Sequence, residues 1–203
     1  MKTIDLRKTL KPLNTASASK PSLVDVPPLP CIMVDGIGDP GSTLFQQAVG
    51  SLYSVAYALK FSFKKERAID YPVTALEGLW SAKDMADFRQ GRRDEWQWTL
   101  FLVLPDVVTR KDVTAMIETA RKKSSFPGFP VIRFETFREG MAAQVLHVGP
   151  YAAERPTIER LHSFIREQGY ELRGRHHEIY LGDPRRAAPE KLKTIIRQPV
   201  SRK

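Results

Sequence analysis

The chain of 203 residues has little cysteine and no long apolar run, and both absences limit what it can be. Its single cysteine, Cys31, excludes an internal disulfide and is typical of a protein from a reducing cytosol. No apolar stretch approaches the roughly 20 residues that span a bilayer, and residues 1–11 lack the apolar core of a signal peptide. The composition therefore favours a cytoplasmic protein without a membrane partner.

Basic charge is gathered at the two ends of the chain rather than spread along it. The formal net charge is +9; residues 1–28 hold five basic and two acidic side chains, and residues 170–203 hold nine and four. A groove-reading helix would show a basic stripe with polar base-reading residues, and none is present. We therefore expect solvated basic termini and no specific nucleic-acid site, while an anionic partner at the C-terminal end stays open.

Motifs for nucleotide cofactors and metals are incomplete. Residues 36–41 spell G-x-G-x-x-G, but a dinucleotide fold needs an acid roughly 20 residues further on, where Phe61 stands inside a predicted helix. His176 and His177 are adjacent and point to opposite faces of a strand, so they cannot ligate one ion together with Glu178. The sequence thus predicts neither a cofactor nor a metal.

The order strand–helix–strand–strand occurs twice, which favours an antiparallel α+β duplication over a parallel sheet. The first set comprises strands at about 31–34, 72–80 and 96–105, a helix at about 42–65, and a charged connection at 81–95. The second set comprises strands at about 140–148, 176–181 and 191–198 and a helix at about 154–168 that ends at Gly169.

The domain organisation follows from this order. Residues 1–29, rich in Pro and small residues, are predicted to form an extended lead-in with little internal structure. Residues 30–203 are predicted to form one domain of two modules, about 30–105 and 138–200. A helical connector at about 109–123, capped by Thr109, joins the two modules.

A carboxylate stands inside a predicted strand at Glu178. Ile179 and Leu181 alternate with Glu178 and Tyr180, so the strand buries the first pair and turns the second pair to the opposite face. Strands are depleted in Glu, and a half-buried carboxylate costs free energy unless it is paired. Only His176 offers complementary charge on that face. We therefore expect a raised pKa for Glu178, which suits a general base or a cation site.

Residues 73–80 repeat the pattern, with Glu77 inside an apolar run and Trp80 close behind. The repeat suggests that acidic and aromatic side chains of both halves face a common site. Further candidates for that site are Trp98 on the next strand and the tyrosine stripe Tyr53 and Tyr57 on the long helix. The alternative is that these aromatic rings are core and that the acids pair with Arg or Lys.

Three C-terminal motifs resemble the GyrI-like small-molecule-binding superfamily. They are LHVGPY at 146–151, HHEIYLGDPRR at 176–186 and PEKLKTIIRQPV at 189–200. The likeness covers about residues 25–200 and is greatest to stand-alone members without a DNA-binding domain. The resemblance implies a pseudo-two-fold pair of β-α-β-β modules with an antiparallel sheet and a ligand cleft between the halves.

The resemblance also implies a function. The cleft of the family carries a glutamate that maps onto Glu178, with aromatic residues that stack on planar, often cationic ligands. Some stand-alone members hydrolyse the cyclopropane of spirocyclopropyl dienone antibiotics that alkylate DNA. By this analogy Glu178 activates water, and Tyr53 or Tyr57 hydrogen-bonds the dienone oxygen. The ligand-binding residues expected around them are Trp80, Trp98, Tyr180, Glu77, Tyr151 and His176.

Two other functions stay open, because a fold does not fix an activity. The same cleft would also serve a non-catalytic sensor or sequestering module for planar aromatic small molecules, and turnover of a spirocyclopropyl substrate separates the two. An interaction protein like the gyrase inhibitor of the family would instead present its basic C-terminal end to a partner.

Overall fold

The computed structural model of the chain describes residues 1–82, 92–125 and 128–203, which divide into two compact units. Unit 1 contains Met1–Thr9, Leu29–Thr74 and the described part of Ser81–Phe137. Unit 2 contains Leu10–Pro28, Ala75–Trp80 and Arg138–Lys203. Most of the charged connection predicted at 81–95 falls on residues 83–91, which lie outside the described residues.

Strands and helices are mixed along both units. The strands are β1 Lys2–Thr3, β2 Ser22–Val26, β3 Leu29–Ile37, β4 Ile69–Asp70, β5 Leu76–Ala82, β6 Trp96–Val103, β7 Arg133–Phe137, β8 Gly140–Val148, β9 Tyr170–Leu172, β10 His176–Tyr180 and β11 Lys193–Arg202. The helices are α1 Leu6–Thr9, α2 Thr43–Arg67, α3 Arg110–Lys123 and α4 Arg155–Glu167. Among the described residues, no helix is long and apolar enough to cross a membrane.

In unit 1, β3 lies between β6 and β7 and pairs antiparallel with both. Helix α2 contacts β3 and β6 through an apolar stripe that recurs every three or four residues, as predicted. Its large buried members are Phe45, Leu52, Val55, Leu59 and Phe63. Helix α3 packs against α2 and begins at the predicted N-cap Thr109, which forms a reciprocal capping box with Asp112.

In unit 2, antiparallel strands follow the order β2, β8, β11, β10 and β5, and β9 pairs with β11. Helix α4 covers one face, where its buried Leu161 and Ile165 contact Val145 of β8 and Ile196 of β11. Burying each such side chain contributes roughly 1.5–3 kcal/mol. Gly169 follows the helix with a φ of +76°, as expected of its C′ position. The pairing pattern confirms the predicted antiparallel α+β class, and β5 of the first half pairs with β10 of the second.

The N-terminal lead-in is more ordered than predicted. Strand β2 pairs with β8, and Leu10 and Leu13 are buried. The backbone carbonyls of Leu13 and Thr15 accept hydrogen bonds from Arg197 and Gln144. The prediction of little internal structure is therefore wrong, because the leucines and the backbone find buried partners that a Pro-rich polar composition does not reveal.

Candidate functional site

Strand β10 presents alternate side chains to its two faces, as predicted. His176, Glu178 and Tyr180 share one face. Ile196 on β11 is the register partner of Glu178 and packs against α4, so this is the face that α4 covers. The predicted carboxylate therefore lies in a partly covered site in unit 2.

Glu178 is an ionised carboxylate held by hydrogen bonds. Its Oε1 lies 2.9 Å from His176 Nε2, and the two side chains are only 13% and 14% exposed. Burial alone would raise the pKa of Glu178, but the hydrogen bond and charge of His176, with hydrogen bonds from Tyr180 and Glu154, hold it below its ordinary value. The expectation of a raised pKa is wrong here, because the sequence did not show the additional donors.

Glu154, the N-cap residue of α4, is the partner that the sequence analysis missed. Its side chain makes no capping hydrogen bond and is buried beside Glu178, at 5% exposure. Burial, and then the negative charge of Glu178, raise the pKa of Glu154 to about 9. A Glu at an N-cap, where Ser, Thr, Asp and Asn are preferred, was the available signal. We call Glu154 and Glu178 the glutamate pair; at neutral pH it carries one proton.

Aromatic side chains lie against the glutamate pair. Trp80 Nε1 donates a hydrogen bond to Tyr180 Oη at 2.9 Å. The Tyr151 and Tyr180 rings meet edge-on, with centroids 5.7 Å apart and an angle of 80°. Burial, with the charge of Glu178, raises the pKa of Tyr180 well above its ordinary value and the pKa of Tyr151 to about 12. Both phenols therefore stay protonated at neutral pH and can donate hydrogen bonds.

Two buried polar atoms on this face, Glu154 Oε1 and His162 Nε2, have no hydrogen-bond partner within the described parts of the chain. Burial, and then the charge of His176, lower the pKa of His162, so its ring is neutral. Unpaired buried polar atoms are rare and cost free energy. They favour a polar ligand group or a water molecule that completes the site.

The opposite face of β10 holds a buried charge network. His177 lies between two carboxylates, with Nε2 3.0 Å from Glu77 Oε2 and Nδ1 2.9 Å from Glu139 Oε1. Arg197 Nη1 lies 3.4 Å from Glu139 Oε2. We call these four side chains the buried quartet. Burial opposes charge on His177, but the two carboxylates outweigh it and raise its pKa, so the four charges cancel.

The quartet corrects two expectations from the sequence. Glu77 does not share a face with Glu178, since its register partner is Ile179. Glu77 and Trp80 are three residues apart, so they point to opposite faces of β5. Arg197 is 1% exposed, so part of the C-terminal basic charge is buried and paired rather than solvated. In the described parts of the chain, no cluster of His, Cys, Asp and Glu is arranged to hold a metal ion.

The remaining predicted site residues belong to unit 1. Trp98 is 2% exposed; its ring lies on Gly36, where a Cβ would come within 2.1 Å, and its Nε1 donates to Gly38 O at 3.2 Å. Tyr53 and Tyr57 stand on α2 with ring centroids 6.3 Å apart, and Tyr57 is largely exposed. The ligand and catalytic roles of these three residues stay predictions.

Unit 1 also contains a groove of about 440 Å³ between α2 and α3. Its lining includes Ser51, Phe61, Lys123 and Phe129. None of the predicted site residues and no carboxylate is among its described lining residues, so the acid–base chemistry of the chain lies elsewhere, at the glutamate pair.

A carboxylate pair flanked by aromatic side chains on an antiparallel α+β scaffold is typical of a small-molecule-binding protein. The model of the GyrI-like small molecule binding domain matches residues 19–201, and the chain belongs to this family. The family indicated by the C-terminal motifs is thereby confirmed.

Solved structures extend this result. An uncharacterized conserved protein from Listeria innocua is 39% identical, with a TM-score of 0.89 over 98% of this chain and 100% of that chain. A hydrolase from the same organism is 38% identical, with a TM-score of 0.84 over the same shares. The C-terminal domain of EcmrR, at 15% identity and a TM-score of 0.60 over 91% of this chain and 98% of that chain, shows a likeness of fold alone. No curated protein matches the chain.

Proposed function

We propose that this chain hydrolyses planar aromatic small molecules that carry a strained ring, with spirocyclopropyl dienones as the substrate class. The glutamate pair carries the proposal, because one carboxyl is ionised while its neighbour holds a proton. Titratable groups whose pKa values are pushed apart in this way are suited to act as base and acid. The 38% identity to a Listeria protein described as a hydrolase supports a hydrolytic reaction.

Water is the nucleophile in this proposal. Glu178 takes a proton from water as the water oxygen forms a bond to a cyclopropane carbon. The ring C–C bond breaks, and its electron pair moves into the dienone, whose oxygen becomes a phenolate. Protonation of that oxygen gives a phenol with a hydroxyalkyl arm. One water is consumed, and no oxidant or reductant takes part.

Glu154 is the proposed proton donor to the phenolate oxygen. Its pKa of about 9 keeps it protonated at neutral pH, and its proton is available once negative charge develops on the substrate. After donation, Glu178 carries the proton taken from water and can pass it across the pair to Glu154, which restores the starting state. Tyr53 and Tyr57 are the alternative donors that the family resemblance predicts.

A second candidate function is binding without turnover, as a sensor or a sequestering module. The hydrogen bonds that lower the pKa of Glu178 also reduce its basicity. An ionised carboxylate among aromatic rings suits a planar cation as well as it suits proton abstraction. In this case the protein only binds its ligand, as the family description of a small molecule binding domain states.

Turnover of a spirocyclopropyl dienone in ¹⁸O-labelled water tests the proposal. We expect the wild-type protein to convert many equivalents of substrate and to place the label in the hydroxyalkyl arm. Glu178→Gln should bind but not convert the substrate. The matched control is Glu159→Gln on α4, because that side chain is 63% exposed and should leave turnover unchanged. Stoichiometric binding without product in the wild type would establish the sensor instead.

A further inference from the structure

Gly78 lies directly opposite Glu178 in the pairing of β5 with β10. The residue is buried, and its φ is not positive, so the backbone conformation does not require glycine at this position. A glycine inside a strand weakens the strand and often marks a place where another group approaches closely. The surrounding side chains, rather than the backbone, therefore require a glycine at position 78.

The space beside Gly78 is occupied by the hydrogen bond between Trp80 and Tyr180. A Cβ on Gly78 would lie 2.9 Å from Trp80 Nε1 and 3.1 Å from Tyr180 Oη, the two atoms that form this bond. Such a Cβ would collide with the donor and crowd the acceptor. The indole of Trp80, rather than the backbone, would have to shift, and the hydrogen bond would be lost.

This hydrogen bond fixes the direction of the Tyr180 hydroxyl proton. The Trp80 indole N–H is a donor only, so it occupies an acceptor position of the Tyr180 oxygen. The proton of that hydroxyl is then left for the carboxylate of Glu178, whose pKa the Tyr180 hydroxyl lowers. Hydrogen bonds in such a chain polarise one another, so the first bond strengthens the second.

We propose that Gly78 is a positioning residue for Glu178: its missing side chain lets Trp80 hold Tyr180, and Tyr180 in turn holds the carboxylate of Glu178. The proposal rests on the proposed function in taking Glu178 as the base of the reaction. It gives Trp80 a hydrogen-bonding role beside the stacking role predicted from the sequence. Gly78 itself touches neither substrate nor water in this scheme.

Gly78→Ala tests the proposal, with Gly182→Ala as the matched control. Nothing lies within 4 Å of a Cβ on Gly182, and neither glycine has a positive φ, so we expect both variants to fold. In Gly78→Ala the carboxylate of Glu178 loses its donor Tyr180. Its titration should move up by about one pH unit, a tenfold change in proton affinity. Carbon-13 NMR of labelled glutamate side chains, with Glu178→Gln for assignment, measures this shift without any substrate.

The pH dependence of kcat gives a second measurement. Its acid limb should move up in Gly78→Ala, and Trp80→Phe should give the same shift. The double variant should shift no further, because both changes break one hydrogen bond. If Gly78→Ala has a much lower melting temperature than the wild type, the shift in Trp80→Phe alone decides the question.

The outcomes separate the two proposals. An unshifted Glu178 titration in Gly78→Ala and in Trp80→Phe overturns the positioning role. Additive effects in the double variant overturn it too, since they mean that the added methyl acts separately from the Trp80 bond. Absence of turnover in the wild type refutes the proposed hydrolase, while the NMR titration still decides whether Gly78 positions Glu178.

Discussion

Glu154 keeps its proton at neutral pH because it is buried beside Glu178, which does not keep its own. The two carboxyls lie side by side in a buried site, so the negative charge on Glu178 opposes ionisation of Glu154. The pKa of Glu178 lies below the ordinary 4.5 of a Glu side chain, and the pKa of Glu154 is raised to about 9. A single proton therefore resides on the pair throughout the neutral range, and two measurable consequences follow.

Turnover of a spirocyclopropyl dienone should follow a bell-shaped pH profile. Glu178 must be ionised, so kcat falls at acidic pH below 4.5; Glu154 must be protonated, so kcat falls as the pH rises through about 9. In Glu154→Gln the alkaline limb should vanish, and kcat should fall about 10²–10⁴-fold. Rate measurements from about pH 3 to pH 10 check both limbs. An alkaline limb that persists in Glu154→Gln would contradict the proposed role of Glu154.

Glu154 should make the protein less stable at neutral pH than at acidic pH. Its folded pKa of about 9 is raised above the ordinary 4.5, so its favourable contribution is complete below pH 4.5 and is lost as the pH rises towards 9. Glu154→Gln removes this loss and should add roughly 1–3 kcal/mol at pH 8. Urea unfolding at pH 5 and pH 8 measures the difference. A gain that is no larger at pH 8 than at pH 5 would rule out a buried shared proton.

Removal of the imidazolium from the buried quartet should be costly. His177→Gln leaves Glu77 and Glu139 buried without the cation between them, and loss of one partner of a buried ion pair costs about 3–5 kcal/mol. The folded pKa of His177 is raised above 6.5, so its stabilising effect is complete below pH 6.5 and is lost as the pH rises through the folded value. Denaturant unfolding from pH 6 upwards should show the difference from wild type shrinking.

A second substitution provides the control for that experiment. Glu77→Gln added to His177→Gln removes one of the two uncompensated carboxylates and should recover part of the lost stability. If the double variant is as unstable as His177→Gln, the cost lies in packing rather than in charge.

Deletion of residues 1–20 should lower the melting temperature, contrary to what a solvated tail would give. The deletion removes the buried side chain of Leu13 and the carbonyl acceptors of Arg197 and Gln144. Loss of one buried Leu side chain typically costs about 2–5 kcal/mol. Thermal melts of the deletion and of Lys11→Ala, an exposed position in the same segment, separate the buried contacts from the basic charge. An unchanged melt of the deletion would restore the tail interpretation.

Trp98→Ala should cost folding free energy more than ligand affinity. The ring lies on Gly36 and meets Phe45 edge-on, with centroids 5.2 Å apart, so its removal leaves a cavity. Truncation of a buried Trp costs about 3–5 kcal/mol. A melt and a ligand titration on this one variant decide between core and ligand wall. A large loss of affinity with an unchanged melt would place Trp98 at the ligand.

The long elements could be predicted from the sequence because their signals are local. The α2 stripe, the Thr109 cap and Gly169 each lie within a few residues of what they determine. Strands β7 and β9 were missed, because they are short and carry polar residues. Their existence depends on pairing with β3 and β11, partners that lie far away in the chain.

The same distinction applies to the site. Alternation within one short strand was enough to place His176 and Tyr180 beside Glu178. Glu154 was missed because its importance comes from a strand that follows later in the chain, and its own neighbourhood reads only as a helix start. Glu77 lies on the other face although its residue type matches Glu178, because an odd spacing of three residues from Trp80 places the two side chains on opposite faces of β5.

Gly36 and Trp98 are register partners on β3 and β6, as His147 and Thr194 are on β8 and β11. Strand β3 is followed by Gly38 and strand β8 ends before Gly149, and both glycines have a positive φ. The corresponding positions thus hold an indole in unit 1 and, in unit 2, polar side chains that include Thr194 beside Glu154. The indole of Trp98 fills the unit 1 position, whereas the unit 2 position belongs to the proposed site. We therefore expect the binding isotherm to saturate at one ligand per chain, without cooperativity inside it.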